Sequence, residues 1–174
     1  PEGEFTALYI RPLLLGTTRS FKVKPGNEFL YAVMLSPVGP YFPEGLSPIK
    51  LLITEEYKRA AKGGTGTAKA GGNYAASLRA ARKASERGAK QVLFLDEQNQ
   101  NLEEAGAMNH FHVHRNEGIV IPAFTDTILK SIQSRSIIEL ASRLSVPVTQ
   151  RDISLDEFID GLKSGDITEA GGLG

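Results

Sequence analysis

The sequence predicts an α+β fold organised in two parts. Two strand-like runs open the chain, at residues 5–15 and 28–35, and turn residues separate them. The stretch SPVGPYFPEGLSP follows, where proline and glycine interrupt regular structure. Beyond it, short apolar runs alternate with helical patterns. We therefore predict a small first domain over residues 1–42, a linker over 43–48 and a larger domain over 49–174.

Composition limits the classes of protein to which this chain can belong. It has 174 residues, of which 41% are hydrophobic, so it can build a sizeable core. Twenty basic residues balance twenty acidic ones, which disfavours a nucleic-acid-binding protein, and no apolar run reaches the length of a membrane-spanning helix. Because the chain contains no cysteine, disulfides, thiolate zinc sites and cysteine nucleophiles are excluded. We expect a cytoplasmic protein that contacts neither nucleic acid nor membrane.

Each strand has a local signal. The first run carries Pro12, where we expect an interruption because proline cannot donate to a sheet. The larger domain opens with IKLLIT, and QVLFL at residues 91–95 has the uniform apolarity of a buried strand. Residues 108–113 and 118–121 form a predicted hairpin across a short polar turn.

Three helices are predicted from their caps. Asn73 is the predicted N-cap of the first, which reaches about Arg87 and carries an apolar stripe of Tyr74, Leu78, Ala81 and Ala84. Ser131 is placed to cap a helix over residues 132–144. A third helix extends to about residue 163, and the capping box that starts it pairs Ser154 with Glu157.

The glycine-rich stretch GGTGTAKAGGNYAAS surrounds a single lysine, Lys69. It is not a Walker loop, because Lys69 lies between Ala68 and Ala70 rather than between glycine and serine or threonine. It is not a dinucleotide fingerprint either, because Lys69 occupies the third glycine position. Two interpretations remain: a flexible surface loop with a solvated lysine, or a lysine whose amine reaches a reactive group. A Schiff-base lysine also needs a lowered pKa and a cofactor, for which a carboxylate elsewhere is a natural partner.

Two adjacent carboxylates, Glu103 and Glu104, lie in the downstream stretch NLEEAGAMNHFHV, before a turn of small residues. On their own they are interpreted as solvated loop side chains. In combination, RAAKGGTGTAKAGGNYAASL, QVLFLDE and LEEAGAMN closely resemble the branched-chain amino acid aminotransferases, which are pyridoxal-phosphate enzymes of the fold-type IV group. LYIRP, SPVGPYF and ITEAGGLG match the same family in the same order, so the resemblance covers most of the chain.

The resemblance implies a role for each matching residue. Lys69 corresponds to the lysine that forms the Schiff base with pyridoxal 5'-phosphate, and Glu104 to the carboxylate that pairs with its pyridine nitrogen. Tyr74 corresponds to the tyrosine that hydrogen-bonds the phenolic oxygen of the cofactor. The substrate site is implied to include Tyr9, Arg11, Tyr41 and Ala107.

The cofactor phosphate is implied to bind at the start of a helix, through the backbone amides of Ile132 and Gln133. Unpaired amides and the positive end of the helix dipole suit a phosphate dianion. The family usually reads close to PGITRDS here, whereas this chain reads KSIQSRS. The threonine hydroxyl that commonly helps to hold the phosphate is therefore replaced by the side chain of Gln133.

The implied activity is transamination of leucine, isoleucine and valine with 2-oxoglutarate, in branched-chain amino acid biosynthesis, by a homodimer that binds amino acids and 2-oxo acids. The resemblance also implies that this chain holds the end of the small N-terminal domain and most of the large cofactor domain, incomplete at its C-terminus. We therefore expect the 174 residues alone to be inactive. Two other fold-type IV enzymes, a D-amino acid aminotransferase and an aminodeoxychorismate lyase, remain as alternatives, as does a non-catalytic homologue.

Three histidines, His110, His112 and His114, alternate along the predicted strand, so all three are expected on one face. A zinc site is one interpretation of this pattern. Same-side positions on one strand lie roughly 6–7 Å apart, however, which is too far for neighbouring ligands of one tetrahedral metal. We expect a structural or interface role for these histidines, and no metal.

Overall fold

The computed structural model describes residues 6–40, 45 and 47–174. Its contacts divide the chain between Pro48 and Ile49 into two units. The elements in chain order are β1 (Ala7–Gly16), β2 (Phe29–Val38), β3 (Leu51–Thr54), α1 (Gly71–Glu86), β4 (Gln91–Leu95), β5 (Leu102–Ala105), β6 (Met108–His114), β7 (Gly118–Pro122), α2 (Ile132–Arg143), β8 (Val148–Arg151), α3 (Leu155–Ser164) and β9 (Ile167–Leu173).

The first unit is built on one antiparallel pair, β1 and β2. The register joins Ala7 to Val38 at one end and Gly16 to Phe29 at the other. β1 continues through Pro12, so the predicted interruption there is wrong. Since β1 has a single partner strand among the described residues, the missing N–H of proline can face away from the ladder.

The second unit is built around a seven-stranded mixed sheet in the order β3-β4-β5-β6-β7-β8, with β9 paired to β6. The β3–β4 and β7–β8 pairs are parallel, and the others are antiparallel. The predicted hairpin of β6 and β7 is confirmed. Asn109 on β6 faces Glu104 of β5 and Leu173 of β9, so these two strands lie along opposite edges of β6.

Apolar clusters cover both faces of β4, because successive side chains of a strand point to opposite sides. Val92 and Phe94 pack with Ala80 and Ala84 of α1. On the other face, Leu93 and Leu95 join the largest cluster, which also contains Phe158 of α3 and Val120 of β7. The glycine loop with Lys69 and the carboxylate of Glu104 belong to this second unit. Among the described residues, no helix is long and apolar enough to cross a membrane.

The helix predictions succeed where the cap is local. Ser131 accepts a hydrogen bond from the backbone N–H of Ser134 at the start of α2, as predicted. Ser154 caps α3 by accepting from the N–H of Glu157. The reciprocal half of the predicted capping box is replaced, because the Glu157 side chain pairs with Arg151 instead.

The face of α1 is predicted only in part. Ala84 of the predicted stripe is buried, as is Ala80, whereas Leu78 is 67% exposed and Ala81 is also exposed. The helix turns its smallest side chains to the sheet, so Leu78 does not belong to the core face.

Candidate active site

The glycine loop ends at α1 and is held down by packing against a distant segment. A Cβ atom at Gly66 would lie 2.5 Å from the Cα atom of Thr127 and 2.7 Å from the carbonyl oxygen of Asp126. Gly63 lies at φ +73°, in the left-handed region that favours glycine. The loop therefore needs glycine at these two places, one for close approach and one for backbone conformation.

Asn73, in the first turn of α1, holds this loop against the helix through its side-chain amide. The structure places the N-cap at Ala70, with no side-chain cap, so the prediction that Asn73 is the cap is wrong. Its buried amide donates to the carbonyl oxygens of Thr65 (2.7 Å) and Ala68 (3.0 Å) and accepts from the Thr65 hydroxyl (2.7 Å). An asparagine can satisfy backbone groups of a preceding loop in this way as well as those of a helix start.

Lys69 stands exposed just before α1, and its Nζ atom lies 4.8 Å from the centroid of the Tyr74 ring. This distance is within the range of a cation–π contact. The loop therefore presents a primary amine beside a phenol. The roles that the resemblance implies for these two residues remain predictions.

Glu103 and Glu104 lie on strand β5, and both are buried, at 4% and 3% exposure. The expectation of solvated loop carboxylates is wrong. Leu93 of β4 pairs with Ala105 and Leu95 with Leu102, so β5 holds one extra residue in this interval. Such a bulge re-aims side chains that would otherwise point to opposite faces. Both carboxylates consequently reach the segment 127–129.

The Glu104 carboxylate has three polar partners. Oε1 accepts from the backbone N–H of Leu129 at 2.7 Å and, at 3.5 Å, from the side-chain amide of Asn109. Oε2 lies 3.1 Å from Nε of Arg59, which is itself 3% exposed. Burial raises the pKa of Glu104, while the positive charge of Arg59 acts to lower it and that of Lys69 has a smaller effect in the same direction.

Glu103 is placed differently, although it is the adjacent residue. One carboxylate oxygen accepts from the hydroxyl of Thr127, and the other has no hydrogen-bond partner among the described residues. Burial raises the pKa of Glu103, and the hydrogen bond from Thr127 opposes that rise. This carboxyl group is therefore more easily protonated than an exposed glutamate.

α2 begins at Ile132, shortly after Leu129, and the backbone N–H of Leu129 contacts the Glu104 carboxylate. The N–H groups in the first turn of any helix lack intrahelical partners, and Ser131 satisfies that of Ser134. The amides of Ile132 and Gln133 belong to this turn, and both residues are exposed. The predicted phosphate position is thus an exposed helix N-terminus; the Gln133 side chain donates to the carbonyl oxygen of Gly174 at 3.2 Å.

The predicted substrate residues are divided between the units. In the first unit, Tyr9 and Arg11 lie on the same side of β1, and Nη2 of Arg11 donates to the Tyr9 hydroxyl at 2.6 Å. Tyr41 lies outside the described residues. In the second unit, Ala107 occupies the two-residue turn between β5 and β6 and lines a cavity of about 190 Å³ together with Tyr74.

Sequence reasoning misses the residues that hold Glu104 and Glu103, above all Arg59, Asn109 and Thr127. Arg59 stands in the RAAKGGTG run that carries the family resemblance, but its partner Glu104 is far along the chain. Nothing in the local pattern distinguishes this arginine from a solvated one. The one usable signal is its position directly before the glycine loop.

His110 and His112 lie side by side on β6, with Nε2 of His110 3.4 Å from Nδ1 of His112. Both are fully buried, and both rings pack against Phe158 of α3. Among the described residues, no group of three or more histidine, cysteine or acidic side chains is arranged to hold a metal ion. The pair thus forms part of the packing between the sheet and α3.

The chain matches one protein family over most of its length. The profile of the family described as amino-transferase class IV matches residues 2–162. Branched-chain-amino-acid aminotransferase 2 of Bacillus subtilis (strain 168) is 42% identical over 175 residues, covering 100% of this chain and 48% of that protein. The chain therefore spans about half the length of the curated relatives it matches.

Solved structures with the same fold are also found. The branched-chain amino acid aminotransferase of Escherichia coli matches with a TM-score of 0.77 at 26% identity, covering 96% of this chain and 54% of that one. The T.th. branched-chain amino acid aminotransferase complexed with N-(5'-phosphopyridoxyl)-L-glutamate matches with a TM-score of 0.70 at 28% identity, covering 86% of this chain and 48% of that one. The predicted fold class, a mixed arrangement of helices and strands like that of the fold-type IV aminotransferases, is confirmed.

Proposed function

The chain belongs to the amino-transferase class IV family, and on that premise we propose that the full-length protein is a branched-chain amino acid aminotransferase. It transfers the amino group of leucine, isoleucine or valine to 2-oxoglutarate, with pyridoxal 5'-phosphate as cofactor. The observation that carries the proposal is the placement of the Lys69 amine beside Tyr74, in the same unit as the buried Glu104 carboxylate. The names of the relatives at 42% identity support the same reaction.

The residues present suit this cofactor. A carboxylate has about four lone-pair positions, so Glu104 can accept from a ring N–H in addition to its present partners. The exposed first turn of α2 offers the amides of Ile132 and Gln133 to a phosphate dianion. Tyr74 offers a phenol that can hydrogen-bond a ring oxygen. These groups provide a base, an anion, a phenol and a phosphate site, which are the chemical types that the cofactor requires.

Lys69 is the proposed base. When bound, pyridoxal phosphate supplies an electron-accepting ring that stabilises negative charge at the substrate α-carbon. The Nζ atom of Lys69 would take the α-proton of the substrate and carry it to the position where it is returned. The exposed position of Lys69 before α1 lets its amine move between these two places, while the packing of Gly66 keeps the loop fixed.

Glu104 is proposed to keep the ring nitrogen protonated. A buried carboxylate interacts strongly with a nearby cation, because little water screens the pair. The bond from Leu129 and the ion pair with Arg59 fix the carboxylate plane before any ligand arrives. Such preorganisation avoids reorganisation during the reaction.

Four residues are proposed to bind the substrate, as the family resemblance implies. Arg11 would bind the second carboxylate of glutamate, and Tyr9 would orient Arg11 through their hydrogen bond. Tyr41 would supply an aromatic wall for aliphatic side chains, and Ala107 would keep the β5–β6 turn narrow at the substrate. We further propose that the protein works as a homodimer, as the family resemblance implies, and that it is cytoplasmic.

The test uses the full-length protein, loaded with pyridoxal phosphate. Amino transfer to 2-oxoglutarate is measured from L-leucine, and D-alanine and aminodeoxychorismate are tested as substrates of the two related enzyme classes. Rapid turnover of L-leucine supports the proposal. Preferential turnover of either other substrate contradicts it, and so does the absence of all three activities in cofactor-loaded protein.

The Lys69→Ala variant tests the site itself. Removing the amine should abolish transamination and the visible absorbance of the covalently bound cofactor. Lys163→Ala is the control, because Lys163 is a largely exposed residue of α3, 3.7 Å from Asp160, and its loss should leave turnover unchanged. Near-normal activity of Lys69→Ala, or borohydride attachment of the cofactor to another lysine, would contradict the assignment.

A further inference from the structure

Arg59 is a buried cation of the candidate site, and the proposed chemistry gives it no task beyond its ion pair with Glu104. It is 3% exposed, and its Nε atom lies 3.1 Å from Oε2 of Glu104. A buried arginine needs partners for its charge and its N–H groups. Because Nε has no hydrogen-bond partner among the described residues, its contact with Glu104 is an ion pair alone. Its remaining contacts therefore show what else this side chain holds in place.

The other end of the guanidinium group contacts two backbone carbonyls. Nη2 donates to the carbonyl oxygen of Thr127 and, at 3.4 Å, to that of Gly66. Arg59 thus joins β5, the segment before α2 and the glycine loop. These are the parts of the chain that carry Glu104, the predicted phosphate site and Lys69.

The contacts of Gly66 show how closely these segments approach one another. The backbone of Gly66 lies so near Thr127 that no Cβ atom fits between them. Arg59 donates to both carbonyls at this contact, so it holds the loop where the Gly66 backbone meets Thr127. The planar guanidinium group can reach a carboxylate and carbonyls at once, whereas a lysine ammonium is a point charge.

Three charged side chains act on the pKa of Glu104, namely Arg59, Glu103 and Lys69. Glu103 raises the pKa of Glu104 and both cations lower it. Lys69 is exposed and has the smaller effect, so Arg59 is the main charge that opposes protonation of this buried carboxyl group.

We propose that Arg59 is a positioning residue of the active site, which keeps Glu104 ionised and oriented and holds the glycine loop at a fixed distance from it. This inference rests on the proposed function for its effect on turnover. It goes beyond that function because it assigns a task to a residue that touches neither cofactor nor substrate in the proposed mechanism.

Two substitutions separate the charge of Arg59 from its shape. Arg59→Met removes the charge and keeps a long apolar stem, while Arg59→Lys keeps the charge and loses the planar fork. Arg82→Met is the control, because Arg82 forms an exposed ion pair with Glu86 on α1. Thermal melting of each variant shows whether it is folded.

The first measurement is made on full-length protein without cofactor, so it does not depend on the proposed activity. The carboxyl titration of Glu104 is followed by NMR with ¹³C-labelled glutamate, and the signal is assigned by its loss in Glu104→Gln. Arg59→Met should raise the titration midpoint by about one pH unit or more, while Arg59→Lys and Arg82→Met stay near the wild-type midpoint. An unchanged midpoint in Arg59→Met overturns the assignment of charge control to Arg59.

The second measurement is made on loaded enzyme. Arg59→Met and Arg59→Lys should each lower kcat for L-leucine by about tenfold or more, with KM altered much less, since orientation of Glu104 acts on the chemical step. In a double-mutant cycle, Arg59→Met should add little to the loss already caused by Glu104→Gln. Fully additive losses, or a kcat for Arg59→Lys within about twofold of wild type, overturn the positioning role. If Arg59→Met does not fold, the kcat of Arg59→Lys decides the question: a loss of about tenfold or more supports the positioning role, and a value within about twofold of wild type overturns it.

Discussion

Two adjacent glutamates, Glu103 and Glu104, differ in what surrounds them rather than in chemistry. Glu104 faces a cation and a backbone N–H, which favour the charged form, whereas Glu103 has a hydroxyl and one unpartnered oxygen. Burial raises the pKa of both carboxyl groups, but only Glu104 has a cation and a backbone N–H beside it, which supports the anionic role proposed for it. Glu103 is suited to packing and hydrogen bonding with Thr127.

We predict that Glu104→Gln lowers kcat by several orders of magnitude and that Glu103→Gln lowers it by less than about tenfold. Glutamine preserves shape and can still accept from Leu129, but it cannot carry the negative charge that stabilises a protonated ring nitrogen. The measurement is steady-state kinetics with L-leucine and 2-oxoglutarate. Each variant serves as the control for the other, because both remove one buried carboxylate from β5. A larger loss in Glu103→Gln than in Glu104→Gln would overturn the assignment.

Among the elements, the glycine loop and α1 contain glycines that differ in whether a side chain would fit at their position. Gly66 packs against the backbone of Thr127, whereas a Cβ atom at Gly72, in the first turn of α1, would meet nothing within 4 Å. Only the first therefore requires the absence of a side chain for steric reasons. The second is a helix position where glycine is intrinsically unfavourable.

We predict opposite effects on stability for alanine at these two positions. Gly66→Ala should lower the free energy of unfolding by about 2 kcal/mol or more, because the new methyl group overlaps backbone that cannot move independently. Gly72→Ala should raise it by up to about 1 kcal/mol through helix propensity. Urea unfolding of the cofactor-free full-length protein measures both. Equal stability of the two variants would show that the loop does not pack on Thr127 as described.

The sequence predicts those elements whose signals are local. QVLFL is a buried strand by its own apolarity, and Ser131 caps α2 within one turn. β5 is missed because its two carboxylates become acceptable in a buried strand only through remote partners, Arg59 for Glu104 and Thr127 for Glu103. β9 is missed because its glycines disfavour a strand, and long-range pairing with β6 overrides that tendency.

The candidate site shows the same limit at the scale of the whole molecule. The family resemblance selects Lys69, Tyr74 and Glu104, and all three residues lie in the second unit. It does not reveal the bulge that turns Glu104 toward Leu129, since a bulge is a property of pairing between β4 and β5. The sequence alone also does not explain the histidines of β6, because their role depends on packing against Phe158 of α3.

The two buried histidines of the second unit should make its stability depend on pH. His110 and His112 contact each other and Phe158, so the rings lie between the sheet and α3. Burial lowers the pKa of His110 to about 3 and that of His112 to about 4. His112 reinforces the effect on His110, while Glu157 and Glu117 oppose the effect on His112, and Arg151 and His114 add to it.

We predict that this pair makes the protein less stable as the pH falls below about 6.5. The unfolded chain binds protons at its histidines near that pH, whereas the folded chain keeps both rings neutral until about pH 4. Stability from the pair is therefore complete above pH 6.5 or so and is lost toward acid, by up to about 1.4 kcal/mol per pH unit for each ring. Urea unfolding of full-length protein between about pH 8 and 5 gives the slope, and the double variant His110→Leu/His112→Leu should flatten it by about 1 kcal/mol per pH unit or more. Phe111→Leu is the control, because it changes the same strand without removing a titrating group, and an equal slope in wild type and double variant would contradict the prediction.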